Sequence, residues 1–534
     1  MVLLLKTFAI NNYEMEIMKN RIMILGALIL TLCVTSCHKE SDVVLNYGNN
    51  DNMAFAEAEK SFTGKFSVFW KAMNTTYSLW DYEKECGLDW DEHYNVMLPK
   101  FQALDEKKSV TDDELEDLMK EMAAPLHDGH MIIDFKNHHT GKYVRVSPNK
   151  IRNEQRPDFK HSKGFKPDLT TYFLNNELLE WKEADTKMLS QFKYMTQTRG
   201  IGYLWAIAKF NELLQKQNPT EKDASMLSDL AIFLKEMEKL VTEENISKKT
   251  YQHFNDLVLQ YSYLKIPFLE PISNAFEENG IAVKYGLFKD NIAYFYLSDF
   301  ELSTYLKDDS FNKEFSDTQH TTEIAKQVRE VYEAWFGAIQ KLHKENLLKG
   351  VIIDLRSNGG GMLDDAQYVL GSIAPKGGLQ YGFARFKRGP GRFDYSPFMP
   401  MTSETMDDEH EVVDDVPITI LINCRSASMS EMTSLSSKQM PNARLIGLRS
   451  WGALCGLTES SDFSSNYTGY IGVEDETPVF IYLPMIGIFD MNKKMLDGYG
   501  VEPDIEVDFD SNEYLKTGYD SQLDRALQYI RTGN

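Results

Sequence analysis

Three apolar residues in a row, Val351-Ile352-Ile353, and Leu355 after Asp354 lead through Arg356 into Ser357-Asn358 and three glycines, Gly359-Gly360-Gly361. A strand with one wet face alternates polar and apolar residues, whereas an unbroken apolar run indicates a strand covered on both faces. Pro417-Ile418-Thr419-Ile420-Leu421-Ile422-Asn423 is a second such run and Arg444-Leu445-Ile446-Gly447 a third. Ile292 to Leu297 is a shorter β-type run, and Ile324, Val328, Val331, Trp335, Ile339 and Leu342 recur at helical spacing between it and Val351. This strand–helix–strand alternation predicts an α/β core from about Gly286 to the C-terminus, closed by a helix carrying Leu523, Ala526, Leu527 and Ile530.

Upstream of Gly286 the pattern is helical. The chain has 534 residues, too many for one compact domain. Phe62, Phe66, Phe69, Trp70 and Met73 share a helical face, and Asp112-Asp113-Glu114 opens another helix with acids where the helix dipole favours them. A further helical block is expected from Leu169 to Tyr263. The divisions expected are a signal peptide over 1–36, a tether over 37–53 and a helical domain over 54–135. A mainly helical insertion over 136–285 and a core over 286–534 follow.

The first 37 residues carry their own signal. Lys19 and Arg21 precede an apolar run from Ile22 to Val34, too short to span a bilayer and suited to the core of a signal peptide. It ends in Val34-Thr35-Ser36-Cys37, which resembles the lipobox of bacterial lipoproteins and implies lipidation of Cys37. The start codon is open between Met1 and Met18. The resemblance implies an exported protein held in the cell envelope by acyl chains, with the membrane as a partner through that anchor. Lys+Arg 57 against Asp+Glu 80 leaves −23, so a nucleic-acid partner is not expected.

Three segments carry chemistry. The glycine turn after Arg356 exposes backbone N–H groups and admits close approach, as an oxyanion site requires. Cys424-Arg425-Ser426-Ala427-Ser428-Met429-Ser430-Glu431 places serines where a buried strand gives way to a helix, whose N-terminal dipoles favour a developing anion. Leu126-His127-Asp128-Gly129-His130 brings a histidine into a strand-like run.

Taken together with Gly500-Val501-Glu502-Pro503-Asp504, these segments resemble the C-terminal-processing (tail-specific) serine peptidase family, whose wider membership includes the tricorn core peptidase. The resemblance implies a crotonase-like ββα superhelix core. It assigns Ser428 as nucleophile, with the N–H groups of Gly360 and Met429 as oxyanion hole. Processing peptidases carry a lysine base where this chain reads Ala453, and a methyl group accepts no proton. Tricorn-like members use a histidine instead, which maps to His130, and a glutamate that matches Asp497. The serine that orients that histidine is replaced by Gly129. With an ordinary imidazole as base, the rate falls as pH drops through about 6.5. A peptide-binding PDZ domain, common in the family, is not evident in the insertion.

No cofactor or metal is expected, since His127 and His130 have no further ligands at zinc spacing. Cys424 and Cys455 flank the candidate site and could pair as a disulfide. The leading reading is a lipid-anchored serine endopeptidase acting on peptides or unfolded protein tails. Its rival is an inactive peptide-binding lipoprotein that keeps the fold, and crotonase-type acyl chemistry is a weaker third.

Overall fold

The computed structural model describes residues 56–162, 165–242, 248–266, 281–306, 318–389, 391–403, 405–406, 410–457 and 470–533. The expected signal peptide, tether and Cys37 lie outside them. Two compact units form, each from several chain segments. The first comprises the chain up to Arg152 with Phe383–Met399 and Cys455–Gly498, and the second Asn153–Gly382, Pro400–Leu454 and Tyr499–Asn534. The range 286–534 is therefore not one body, because two of its segments complete the first unit.

In the first unit, helices Phe62–Thr76, Trp90–Asp105 and Asp112–Ala123 pack on a four-stranded antiparallel sheet. Each helix starts on a side-chain cap: Ser61 accepts from Gly64 N–H, Asp89 from Glu92 N–H, and Thr111 forms a capping box with Glu114. The aromatic spacing read along Phe62–Met73 is a packing face. Phe66 stacks on Phe101 with centroids 4.7 Å apart, and Trp70 on Trp90 at 4.3 Å. Strand Ile132–Lys136 lies between Val479–Tyr482 and Tyr143–Val146, with Ile133 opposite Ile481 and Val146. The expected boundary at residue 135 thus falls inside a strand.

The second unit is built on a seven-stranded sheet. Its order is Ile505–Glu506, Ala443–Gly447, Ile418–Ile422, Gly350–Asp354, Ile292–Leu297, Ala282–Phe288 and Leu178–Asp185. The first five strands are mutually parallel and the last two pair antiparallel. Both faces are covered, which accounts for the apolar runs. On one face Leu523, Ala526, Leu527 and Ile530 of helix Ser521–Thr532 pack with Tyr294, Ile352, Leu421 and Ile446. The opposite face receives helix Thr318–Lys344, with Trp335 stacked on Phe295 at 4.4 Å. This is a mixed α/β architecture.

The helical block expected over 169–263 is interrupted. Leu178–Asp185 is the sheet's edge strand, and it exposes Leu179, Glu180, Lys182 and Glu183. Half in water and charged, it carries no apolar run to mark it. Helices Thr186–Leu214, Glu221–Thr242 and Lys248–Gln260 follow, around a core of their own that includes Leu230, Phe233, Met237 and Phe254. Among the described residues no helix is long and apolar enough to cross a membrane.

Candidate active site

In the second unit the buried strands Gly350–Asp354 and Ile418–Ile422 lie side by side, so the turns that leave them emerge together. Asn358 knits these turns. Its backbone carbonyl accepts Ala427 N–H at 2.9 Å, its Oδ1 accepts Gly360 N–H and Ser430 Oγ–H at 2.8 Å each, and its Nδ2 donates to Leu297 O. Three serines occupy the second turn, and two are spent on structure. Ser426 Oγ donates to Leu355 O at 2.8 Å and accepts Asn423 N–H, while Ser430 Oγ is held by Asn358. Both are fully buried, whereas Ser428 is only half-buried.

Ser428 immediately precedes helix Met429–Ser437 and sits at φ 53°, ψ −115°. A non-glycine residue in that region costs on the order of 1–3 kcal/mol and persists only where its surroundings impose it. Here they do. Ser428 N–H points at the Glu431 carboxylate (3.1 Å) and at Ala453 O (3.0 Å). Glu431, itself fully buried, also accepts Ser450 Oγ–H and the N–H groups of Gly452 and Ala453, at 2.5, 2.7 and 2.7 Å. A carboxylate with that many donors fixes the nucleophile turn against the 450–453 loop. Arg156 braces the same loop by donating to Arg449 O and Ser450 O, and Asn153 Nδ2 donates to Trp451 O.

The glycine turn closes on the serine. Gly360 has φ +104°, and a Cβ there would stand 2.4 Å from Ser428 Cβ, so no side chain fits. Its N–H, expected in the oxyanion hole, is donated to Asn358 Oδ1. The Met429 N–H has no partner among the described residues and stands free at the start of the helix. Ala453 is buried where the lysine would stand. Lys438 caps the far end of the helix and pairs with Asp504 at 2.6 Å.

The histidine segment belongs to the first unit. Asp128 is fully buried and its Oδ1 accepts the N–H groups of His130 and Met131, both at 2.8 Å. Burial, reinforced by Asp497, holds its carboxyl well above the usual range. Asp497 accepts Gly129 N–H at 2.5 Å and Cys455 N–H at 2.6 Å. Among the described residues no direct hydrogen bond joins Asp497 to the His130 ring. Asp497 positions backbone instead. Gly498, at φ +71°, lets this segment pass so close to His127 that a Cβ would come within 2.2 Å of its carbonyl oxygen.

His130 is half-buried, and its Nδ1 is shut away from solvent without a hydrogen-bond partner among the described residues. Burial pulls its pKa down to about 4. His127 is held differently: Nδ1 lies 2.8 Å from Glu83 Oε2, and its backbone N–H donates to Glu83 Oε1 at 2.7 Å. Tyr77 Oη–H donates to the same carboxylate. The His127 side chain is 29% exposed and that of Glu83 1%. Sequence reasoning did not find this pair, because Glu83 lies 44 residues upstream and nothing in its neighbourhood marks it.

Cys424 and Cys455 are free thiols, not a disulfide: Cys424 Sγ lies 2.9 Å from Ser162 Oγ and Cys455 Sγ 3.7 Å from Met495 Sδ. No group of three His, Cys, Asp or Glu side chains suited to a metal ion occurs among the described residues.

Residues 291–507 match the model of peptidase family S41. The chain is 26% identical over 186 residues to the tricorn protease of Thermoplasma acidophilum, covering 35% of this chain and 14% of that protein. It is 30% identical over 185 residues to a carboxy-terminal-processing protease of Bartonella bacilliformis, covering 35% and 37%. The chain thus spans well under two thirds of either relative. The solved structure of mature CPAF complexed with lactacystin aligns over 89% of this chain and all of its own, at 10% identity and a TM-score of 0.45.

Proposed function

Starting from residues 291–507 as a peptidase family S41 segment, we propose that the protein is a lipid-anchored serine endopeptidase of the cell envelope. It cleaves peptides or protein C-terminal regions through an acyl-enzyme on Ser428, on a core of crotonase-like ββα type. One observation carries the reading: of three serines in the turn, Ser428 alone is left half-buried at the head of a helix, in a strained conformation imposed by Glu431 and Gly360. Ser428 Oγ attacks the scissile carbonyl while a base takes its proton. Met429 N–H, with a second N–H from the glycine turn, receives the oxyanion. Collapse expels the amine, protonated by the same base, and water then releases the acid.

The family resemblance gives that base as His130. Burial keeps its imidazole neutral down to about pH 4. The acid limb of the rate then lies near pH 4, not near the 6.5 of an ordinary imidazole. A second reading rests on the Glu83–His127 pair, in which a carboxylate fixes the imidazole as in a triad and leaves Nε2 for proton transfer. Turnover measured on His130→Ala and His127→Ala separates them. Loss of several orders of magnitude in His130→Ala, with His127→Ala active, supports the first, and the reverse transfers the role to His127.

The rival, a peptide-binding lipoprotein without catalysis, is motivated by Ala453 and Gly129. Covalent labelling of Ser428 by a plain fluorophosphonate excludes it, and no labelling favours it. The anchor rests on Lys19, Arg21, the apolar run and Val34-Thr35-Ser36-Cys37. Cys37→Ser is expected to shift the protein from the membrane to the soluble fraction, since one lipidated cysteine is the only anchor signal recognised. Unchanged fractionation refutes the lipoprotein reading.

A further inference from the structure

The helix that begins at Met429 shows an unfilled face beside the nucleophile. Met429, Met432, Thr433 and Ser436 recur at three- and four-residue steps, so they line up on one side of the helix. They form one wall of a cavity of about 150 Å³, which Leu363 and Leu370 close from the segment following the glycine turn. Among the described residues no charged side chain lines it. Leu363 at the rim is 59% exposed, whereas Leu370, Met429 and Met432 are buried, so the cavity opens to solvent at one end and is apolar within. Thr433 Oγ1 and Ser436 Oγ are also buried and have no hydrogen-bond partner among the described residues. A well-packed core does not leave a void of this size, which elsewhere suffices to hold a benzene ring.

We propose that this cavity is the subsite for the side chain of the residue that supplies the scissile carbonyl, and that it selects an uncharged, mainly apolar residue the size of leucine, methionine or phenylalanine. The inference rests on Ser428 as nucleophile. If Met429 N–H holds the carbonyl oxygen, the side chain one bond from that carbonyl carbon is the one within reach of a pocket walled by Met429 itself. Its neighbours in an extended substrate point to the opposite side. A lysine or glutamate side chain entering here would lose its hydration against walls whose described residues offer no counter-charge. The two unused hydroxyls make a polar spot in the wall, where an uncharged hydrogen-bonding group is tolerated.

The test is a series of peptidyl diphenyl phosphonates that differ only in the side chain adjoining the phosphorus, compared with a plain fluorophosphonate lacking one. Ser428 in the full-length protein is expected to be labelled by the leucine, methionine and phenylalanine analogues at least roughly tenfold faster than by the lysine and glutamate analogues. Ala366 also lines the cavity, and Ala366→Phe fills it. The preference for the leucine over the alanine analogue is then expected to fall roughly tenfold or more. Labelling by the fluorophosphonate with no side-chain preference overturns the subsite while leaving the nucleophile in place. No labelling by any reagent overturns both. The wild-type series decides the point even where Ala366→Phe fails to fold.

Discussion

Ser428→Ala is expected to abolish peptide hydrolysis, lowering turnover by roughly four to six orders of magnitude. Nucleophile and base act as a unit, so removing one forfeits nearly all that the pair supplies. The fold should be undisturbed, because Ser428 N–H, not its hydroxyl, is what Glu431 and Ala453 hold. Thermal unfolding of the variant should therefore match the parent. The flanking serines behave in the opposite sense. Ser426→Ala leaves Asn423 N–H without its acceptor and Leu355 O with one donor fewer, and Ser430→Ala removes one of the donors to Asn358 Oδ1. Each is expected to cost about 1–3 kcal/mol of stability while some activity persists. Activity lost in Ser426→Ala or Ser430→Ala but kept in Ser428→Ala overturns the assignment.

Arg356→Met is expected to be the most destabilising single change in the sheet. The Arg356 guanidinium is fully buried, donates twice to Asp354 and twice to Asp520, and lies over the Phe165 ring at 4.4 Å. Asp354 ends the strand beneath the glycine turn, and Asp520 caps the closing helix. Without the arginine two buried carboxylates face each other unpaired, a loss of about 3–5 kcal/mol by analogy with other broken buried pairs. That is a large fraction of the roughly 5–15 kcal/mol that holds a domain together. Denaturant unfolding of both proteins at neutral pH checks this, and equal midpoints would refute it.

How far the sequence could be read depended on where each signal lies. Val351–Ile353 and Ile418–Ile422 are buried on both faces, so every position except Thr419 is apolar and the strands announce themselves. Ser428 was singled out by the resemblance of Ser426-Ala427-Ser428 to the family's turn, since a serine between a buried strand and a helix is often structural, as Ser426 and Ser430 are here. The edge strand Leu178–Asp185 was not, since water on its outer side admits Glu180, Lys182 and Glu183. The Glu83–His127 contact was hidden for another reason: one charged residue in a short helix does not disclose which distant group it meets. Gly360 shows a finer limit. Its position against Ser428 could be read from the motif, but the capture of its N–H by Asn358 is a matter of tenths of an ångström.

The first unit's segmentation governs the order in which the chain can acquire structure. Ile132–Lys136 has Val479–Tyr482 as one of its two neighbours, more than three hundred residues later. On the ribosome that edge stays unpaired until most of the polypeptide has emerged, so the N-terminal segment of this unit cannot mature as an independent early domain. A fragment ending at Arg152 is correspondingly expected to expose an apolar strand edge and aggregate. The histidine segment just ahead of that strand is thus assembled late, when the residues of the serine turn have already been synthesised.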